Sequence, residues 1–407
     1  MRNKVYTEFV KLIERTLYLN QLKAVTGTPD IKIITGVRRS GKSKLMDAFI
    51  SFIQTEDKNA NIIHINFSLL QFENLKEYHA LNDYVESKYI AGVRNYLLVD
   101  EVQMCLGFEK TINSLHATEK YDIYLTGSNA FLLSSDLATL FTGRTFEIEV
   151  YPFSFEEYCR YFDKKNQYEA LGQYIKEGGM AGSYLYGSEN EKYRYINEDV
   201  FNALVVRDII AKHKIRNSSL LDKLVDYLMD NVGNITSIRK ISDTLASSKS
   251  KVNDKTIGSY VDYLCKAFAF YKIRRYDIKG KRYLASEDKY YLCDHSFKYA
   301  RLGTKNMDFG HILENIVAIE LLRRGYEVYV GVLYKKEIDF VAIKKDEKIY
   351  IQVADDINGE NTFKRETEPL LSIKDAYPKV LLARTGHEKY QYEGIQIIDM
   401  ADWLLNF

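Results

Sequence analysis

IKIITGVRRSGKSKLMDAFI (residues 31–50) decides the fold class. Residues 31–34 are short, apolar and rich in β-branched side chains, as a buried strand requires, and Thr35-Gly36 ends the run. After the loop, Leu45, Met46, Phe49, Ile50 and Ile53 recur at helical spacing. Between strand and helix, Gly36, Val37, Arg38, Arg39, Ser40, Gly41, Lys42, Ser43 and Lys44 satisfy the phosphate-loop pattern GxxxxGK[ST] without a mismatch. Glycines let the backbone amides turn inward around phosphate oxygens, and the helix N-terminus adds a favourable dipole. Lys42 is placed to reach the β- and γ-phosphates of ATP, and Ser43 to ligate Mg²⁺.

A phosphate loop needs a carboxylate site on a neighbouring strand. YLLV (96–99) is an apolar strand ending in Asp100-Glu101. Asp100 is expected to hold Mg²⁺ through water, and Glu101 to orient and deprotonate the attacking water. YDIYLTGSN (121–129) reads as a further strand with a polar tip, where Ser128 or Asn129 would meet the γ-phosphate or that water. NIIHINF (61–67) is the intervening strand. This order predicts an α/β domain: a parallel sheet with helices on both faces and ligands at the carboxyl ends of its strands.

The bulk properties bound the remaining chemistry. With 407 residues, the chain has room for two or three domains. Its formal net charge of +1 gives no global attraction to nucleic acid or anionic membrane, so such binding would need a local patch. Four scattered cysteines, without a CxxC pair, speak against a zinc site or disulfide framework and fit a reducing cytoplasm. No apolar run approaches the roughly 20 residues of a membrane span, so no membrane partner is expected.

GVRRSGKS, LLVDE, LTGSNAFLL, LFTGR and VYPFSFEEY together resemble a prokaryotic family of AAA+-type ATPases. Members carry an N-terminal ATPase module and a C-terminal domain similar in fold to restriction endonucleases. The matches run in family order from about residue 10 to the C-terminus. The resemblance implies ATP hydrolysis with Lys42, Ser43, Asp100 and Glu101 in the roles above, and puts Asn129 near the polar residue called sensor 1. Arg144 in TGR and Arg207 in VVRDII are the two candidates for an arginine acting on the γ-phosphate. If either acts in a neighbour's site, the protein is a homo-oligomer.

Residues 1–215 are thus expected to form the ATPase domain with a helical extension, 216–304 a winged-helix-like domain, and 305–407 the endonuclease-like domain. Thr236 or Ser237, and Asn253 or Asp254, read as helix caps, followed by two alternating strands around Gly280. From Lys249 to Lys289, eleven basic residues face five acids, a local balance of +6 with tyrosines interleaved, which suits a DNA or a protein partner. In the last segment, Glu314 matches the helix acid of a restriction-endonuclease core and Asp339 the strand acid. Gln352 stands in place of the second acid and Ala354 in place of the lysine, which predicts that cleavage is lost; Lys344 or Lys345 is the available substitute. Three readings stay open: an ATP-driven switch, an ATP-regulated nuclease, and a non-hydrolysing ATP-binding scaffold.

Overall fold

The computed structural model describes residues 11–127, 141, 143–246, 252–303 and 308–406. They form two compact units, Met1–Tyr151 and Pro152–Phe407.

In the first unit the apolar runs become the strands β1 (Ile31–Thr35), β2 (Asn61–Asn66), β3 (Asn95–Asp100), β4 (Tyr121–Thr126) and β5 (Thr145–Glu149). All pair in parallel, in the order β2-β3-β4-β1-β5. Every residue of β1 and β3 is buried, which explains why these strands read as unbroken apolar runs: both faces of the sheet are covered. On one face, Leu81 and Val85 of helix α3 (Tyr78–Ser87) and Ile112 and Leu115 of α4 (Phe108–Ala117) pack on Ile33, Leu97, Val99 and Leu125. On the other, Phe49 of α2 (Lys42–Glu56) meets Tyr124, ring centroids 4.8 Å apart. Helix α1 (Thr16–Ala24) precedes the sheet and packs on α2. Even the one charge inside β1 is satisfied: Lys32 donates to Thr28 O (2.5 Å) and to Asp122 (2.7 Å).

The second unit begins with helices α5 (Phe155–Phe162), α6 (Gln167–Glu177) and α7 (Glu189–Arg194), followed by π-helical turns over Tyr195–Asn202 and Leu204–Ala211. Helices α8 (Ser218–Asp230), α9 (Ile238–Leu245) and α10 (Asp254–Lys266) come next. Ser237 caps α9 through Lys240 N, and Asn253 caps α10 through Lys255 N. Then β6 (Phe270–Asp277) and β7 (Arg282–Leu292) form a hairpin, followed by α11 (Ser296–Leu302) and α12 (Phe309–Arg323). Strands β8 (Glu327–Leu333), β9 (Lys336–Lys344) and β10 (Glu347–Val353) pair antiparallel. The helix α13 (Glu360–Leu371) then crosses to β11 (Lys379–Ala383), parallel to β10. β12 (Tyr390–Tyr392), β13 (Ile395–Asp399) and α14 (Met400–Leu405) close the chain. The hairpin β6–β7 does not stand apart as a wing. β6 pairs in parallel with β8, so one eight-stranded sheet runs β12-β13-β11-β10-β9-β8-β6-β7.

Candidate functional site

The loop after β1 owes its shape to backbone conformations that its residues were chosen to tolerate. Gly36 (φ +130°) and Gly41 (φ +98°) are left-handed, and Arg39 joins them at φ +66°. A Cβ on Gly36 would lie 2.1 Å from the Val150 carbonyl oxygen, so no other residue fits there. Val37 is buried, and its carbonyl accepts a hydrogen bond inside the loop. Arg15, in the stretch before α1, clamps the loop from behind, donating to Ser40 O (2.8 Å) and Tyr151 O (2.9 Å). Nothing in the spacing of the motif signals Arg15, since it lies 25 residues upstream of the carbonyl it holds.

Lys42 is buried and its ammonium turns back into the loop, donating to Gly36 O (2.9 Å) and Val37 O (3.0 Å). Helix α2 starts at Lys42 with no side chain capping its first amides. The first amides of the helix point into the loop end, with the positive end of the helix dipole behind them. Ser40 Oγ and Arg38 Nε are buried without a hydrogen-bond partner, so the loop carries polar atoms with nothing yet to bind. Arg39 is exposed, and Lys44 points outward to Asp47 (3.0 Å).

Two strands away, Asp100 is held on both oxygens. The Thr126 hydroxyl donates to one, and Asn66 Nδ2 donates to the other at 3.1 Å. The Glu101 N–H donates to the same Thr126 hydroxyl at 3.2 Å. Glu101 itself sits in the left-handed region (φ +56°), and its carboxylate accepts from Gln103 Nε2 at 2.5 Å. A non-glycine residue costs about 1–3 kcal/mol there, and such strain gathers at functional positions. Thr126 and Asn66 thus hold the acids of the candidate site, and the strand-end reading passed over them.

Ser128 and Asn129 lie outside the described residues, as does the Arg207 side chain. Arg144 does not join the cluster. It is exposed and precedes β5, its carbonyl accepting from Ile31 N (2.8 Å), and Ile31 pairs with Thr145. That is the amino end of β1, whereas the phosphate loop leaves the carboxyl end. The parallel register thus sets Arg144 at the opposite end of β1 from the phosphate loop of its own chain.

Residues 28–159 match a family model described as AAA domain, and residues 168–308 one described as Domain of unknown function (DUF8612). An uncharacterized protein of Haemophilus influenzae is 39% identical over 97% of this chain and 99% of its own length. Uncharacterized protein MJ1544 of Methanocaldococcus jannaschii is 30% identical over 85% of this chain and 79% of its own. The chain belongs to this family of AAA-domain proteins. Among solved structures, the Aeropyrum pernix ORC1 protein in complex with DNA shares 11% identity over 77% of this chain and 94% of that one, with a TM-score of 0.34. The first unit is an AAA-type phosphate-loop domain, and no described helix is long and apolar enough to cross a membrane.

Beyond its AAA domain, this family member gathers a second set of charges in the second unit. Glu314 on α12 and Asp339 on β9 both face Lys289 of β7. The Lys289 ammonium donates to Glu314 (3.1 Å) and pairs with Glu337 (2.7 Å), and the Tyr291 hydroxyl donates to Glu314 (3.0 Å). Burial works against the charge on Lys289, but Glu314, Asp339 and Glu337 outweigh it and raise its pKa. Burial first, then Glu314, drive the Asp339 carboxyl well above the usual range. Gln352 donates to Glu366 of α13 (3.1 Å), and Asp339 accepts from Val353 N (2.8 Å). Neither expected substitute lysine is present in the cluster: Lys344 donates to Arg324 O (2.6 Å), and Lys345 is exposed. Lys289, the last cation of the basic run 249–289, is buried rather than part of an exposed face. That run shrinks further through ion pairs of Lys266 with Asp262, Lys272 with Asp288 and Arg275 with Glu287; Lys249 and Lys251 lie outside the described residues.

Proposed function

We propose that this protein is a Mg²⁺-dependent ATPase that works as a conformational switch on a DNA or protein partner. The observation that carries this reading is convergence. The phosphate loop, Asp100 and Glu101 all leave the carboxyl ends of β1 and β3, which belong to one parallel sheet.

In this reading the amides of residues 36–44 wrap the phosphates of ATP. Lys42 gives up its two loop carbonyls for the β- and γ-phosphate oxygens. Ser43 and Asp100 hold Mg²⁺, which when bound neutralises charge on the phosphates. Asp100 keeps its orientation through Asn66 and Thr126. Glu101 takes a proton from the water that attacks the γ-phosphorus, and Gln103 restrains its carboxylate until water arrives. Asn129 would contact the γ-phosphate or that water. An arginine such as Arg144 would then act on the site of a second copy, which makes the working enzyme a homo-oligomer.

The remaining divisions are proposed with it: an ATPase part to about residue 215, a winged-helix-like part over 216–304 whose hairpin β6–β7 is continuous with the following sheet, and an endonuclease-like part over 305–407. The buried Lys289 ammonium supplies a positive charge among Glu314, Asp339 and Glu337. Because these ion pairs already neutralise the carboxylates and Gln352 stands in place of the second acid, we favour a binding or structural role for that core over cleavage.

The test is phosphate release from ATP by the full-length protein beside Glu101→Gln, with and without DNA. Wild type should release phosphate only with Mg²⁺, and Glu101→Gln should bind ATP yet lose at least about 100-fold in rate, as removal of a general base does. Equal rates in the two proteins would overturn the assignment of Glu101.

A further inference from the structure

Two neighbouring hairpin tips in the second unit combine exposed aromatic rings with unpaired positive charge. The chain turns from β6 to β7 over residues 278–281 and from β8 to β9 over 334–335. The Ile278 N–H donates to Val332 O (3.0 Å), and Lys279 Nζ lies 4.7 Å above the Tyr334 ring, so the tips stand side by side. Tyr334 is 74% exposed and Tyr283 59%. Tyr283 is backed by Tyr276 and Tyr329, with ring centroids 5.6 and 5.0 Å away, and Tyr276 is itself buried in the sheet core. The platform is therefore braced, yet its outer rings remain open to solvent.

Lys279, Lys281, Arg282 and Lys335 lie on these turns or next to them along the chain, all exposed. Among the described residues, Lys281 and Lys335 make no ion pair. The nearby acids are already engaged: Asp277 accepts from Gly280 N (3.0 Å) and pairs with Arg282 (3.4 Å), and Glu327 accepts from the Tyr329 hydroxyl (2.8 Å).

We propose that this face binds single-stranded DNA, with bases stacked on Tyr283 and Tyr334 and phosphates on the surrounding lysines and Arg282. Positive charge complements the phosphates, and a π-face stacks on any base. Duplex bases are already stacked on one another, so exposed rings select a single strand. Stacking and phosphate contacts do not engage the sugar, so this set of contacts does not require a ribose 2′-hydroxyl. The inference deepens the switch reading by naming its partner, and rests on that reading for its purpose.

The experiment is fluorescence anisotropy of a labelled oligo-dT of about 16 nucleotides with the full-length protein, in the absence of ATP. Tyr283→Ala and Tyr334→Ala should each weaken binding by roughly 5- to 150-fold, equivalent to one lost stack, and Tyr283→Phe should bind as wild type does. Lys281→Ala and Lys335→Ala should each lower the salt slope by about 0.7. No binding at low salt, equal affinity for duplex, or indifference to both alanines overturns the proposal. Tighter binding of oligo-rU overturns the assignment to DNA. Phosphate release from Mg²⁺-ATP, measured separately on the same protein preparations, separates the two readings: intact hydrolysis without binding overturns the partner alone, and intact binding without hydrolysis overturns the ATPase alone.

Discussion

Thr126 is the residue on which the two acids of the first unit depend. Its hydroxyl donates to Asp100 and accepts from the Glu101 N–H, so one oxygen fixes both the carboxylate proposed for Mg²⁺ and the backbone that aims the proposed base. Thr126→Val keeps the shape and removes the hydroxyl, leaving a buried carboxylate oxygen and an amide unpaired at a cost of about 1–3 kcal/mol. If that cost falls on the transition state, kcat for ATP should drop by roughly 5- to 150-fold while ATP affinity stays within a few-fold of wild type. A variant whose kcat stays within a factor of two would make Thr126 a structural residue only. Gly36 and Lys42 were legible in the sequence because their signal is local: glycines where φ is positive, and a lysine at fixed spacing from them. Thr126 and Asn66 were not, because their role comes from parallel register, with Asn66 beside Asp100 and Val99 beside Leu125.

At the scale of elements, the same contrast separates strands from their neighbours. The runs that became β6 through β10 are visible in the sequence by alternation or continuous burial, and the caps Ser237 and Asn253 by residue type. Which strand lies beside which is not. The parallel pairing of β6 with β8 joins the expected wing to the last sheet, and with it Lys289 comes to face Glu314, Glu337 and Asp339. A lysine in a basic run thereby becomes a buried counter-ion. Its pKa is raised on folding, so its stabilisation is fully present below about 10.4, the ordinary lysine value, and is lost as pH climbs through the raised one. Lys289→Met strands the carboxylates without a cation and should cost about 3–5 kcal/mol at pH 8. Burial first, and then Glu314, raise the Asp339 pKa, so acid neutralises that carboxyl and the deficit should shrink at pH 5.5. Urea midpoints at the two pH values read this directly. An equal deficit at both would mean that Lys289 contributes packing rather than charge.

For the whole molecule, the division into residues 1–151 and 152–407 has a consequence that one intrinsic probe can read. The chain contains a single tryptophan, Trp403, buried on α14 under the Arg324 guanidinium, 4.3 Å from the ring. Its fluorescence therefore reports the unfolding of the second unit, whereas far-ultraviolet circular dichroism reports both. A ligand that binds only folded protein stabilises what it binds, by about 2.7 kcal/mol at a hundred times its Kd. The phosphate loop lies wholly in the first unit. Mg²⁺-ATP should thus raise the urea midpoint of part of the dichroism signal and leave the Trp403 midpoint where it was. Glu101→Gln, which retains the loop, should show the same shift without consuming the ligand. If ATP instead moves the Trp403 midpoint equally, the two units unfold as one cooperative structure, and nucleotide energy reaches the second unit through shared stability rather than through a change of conformation.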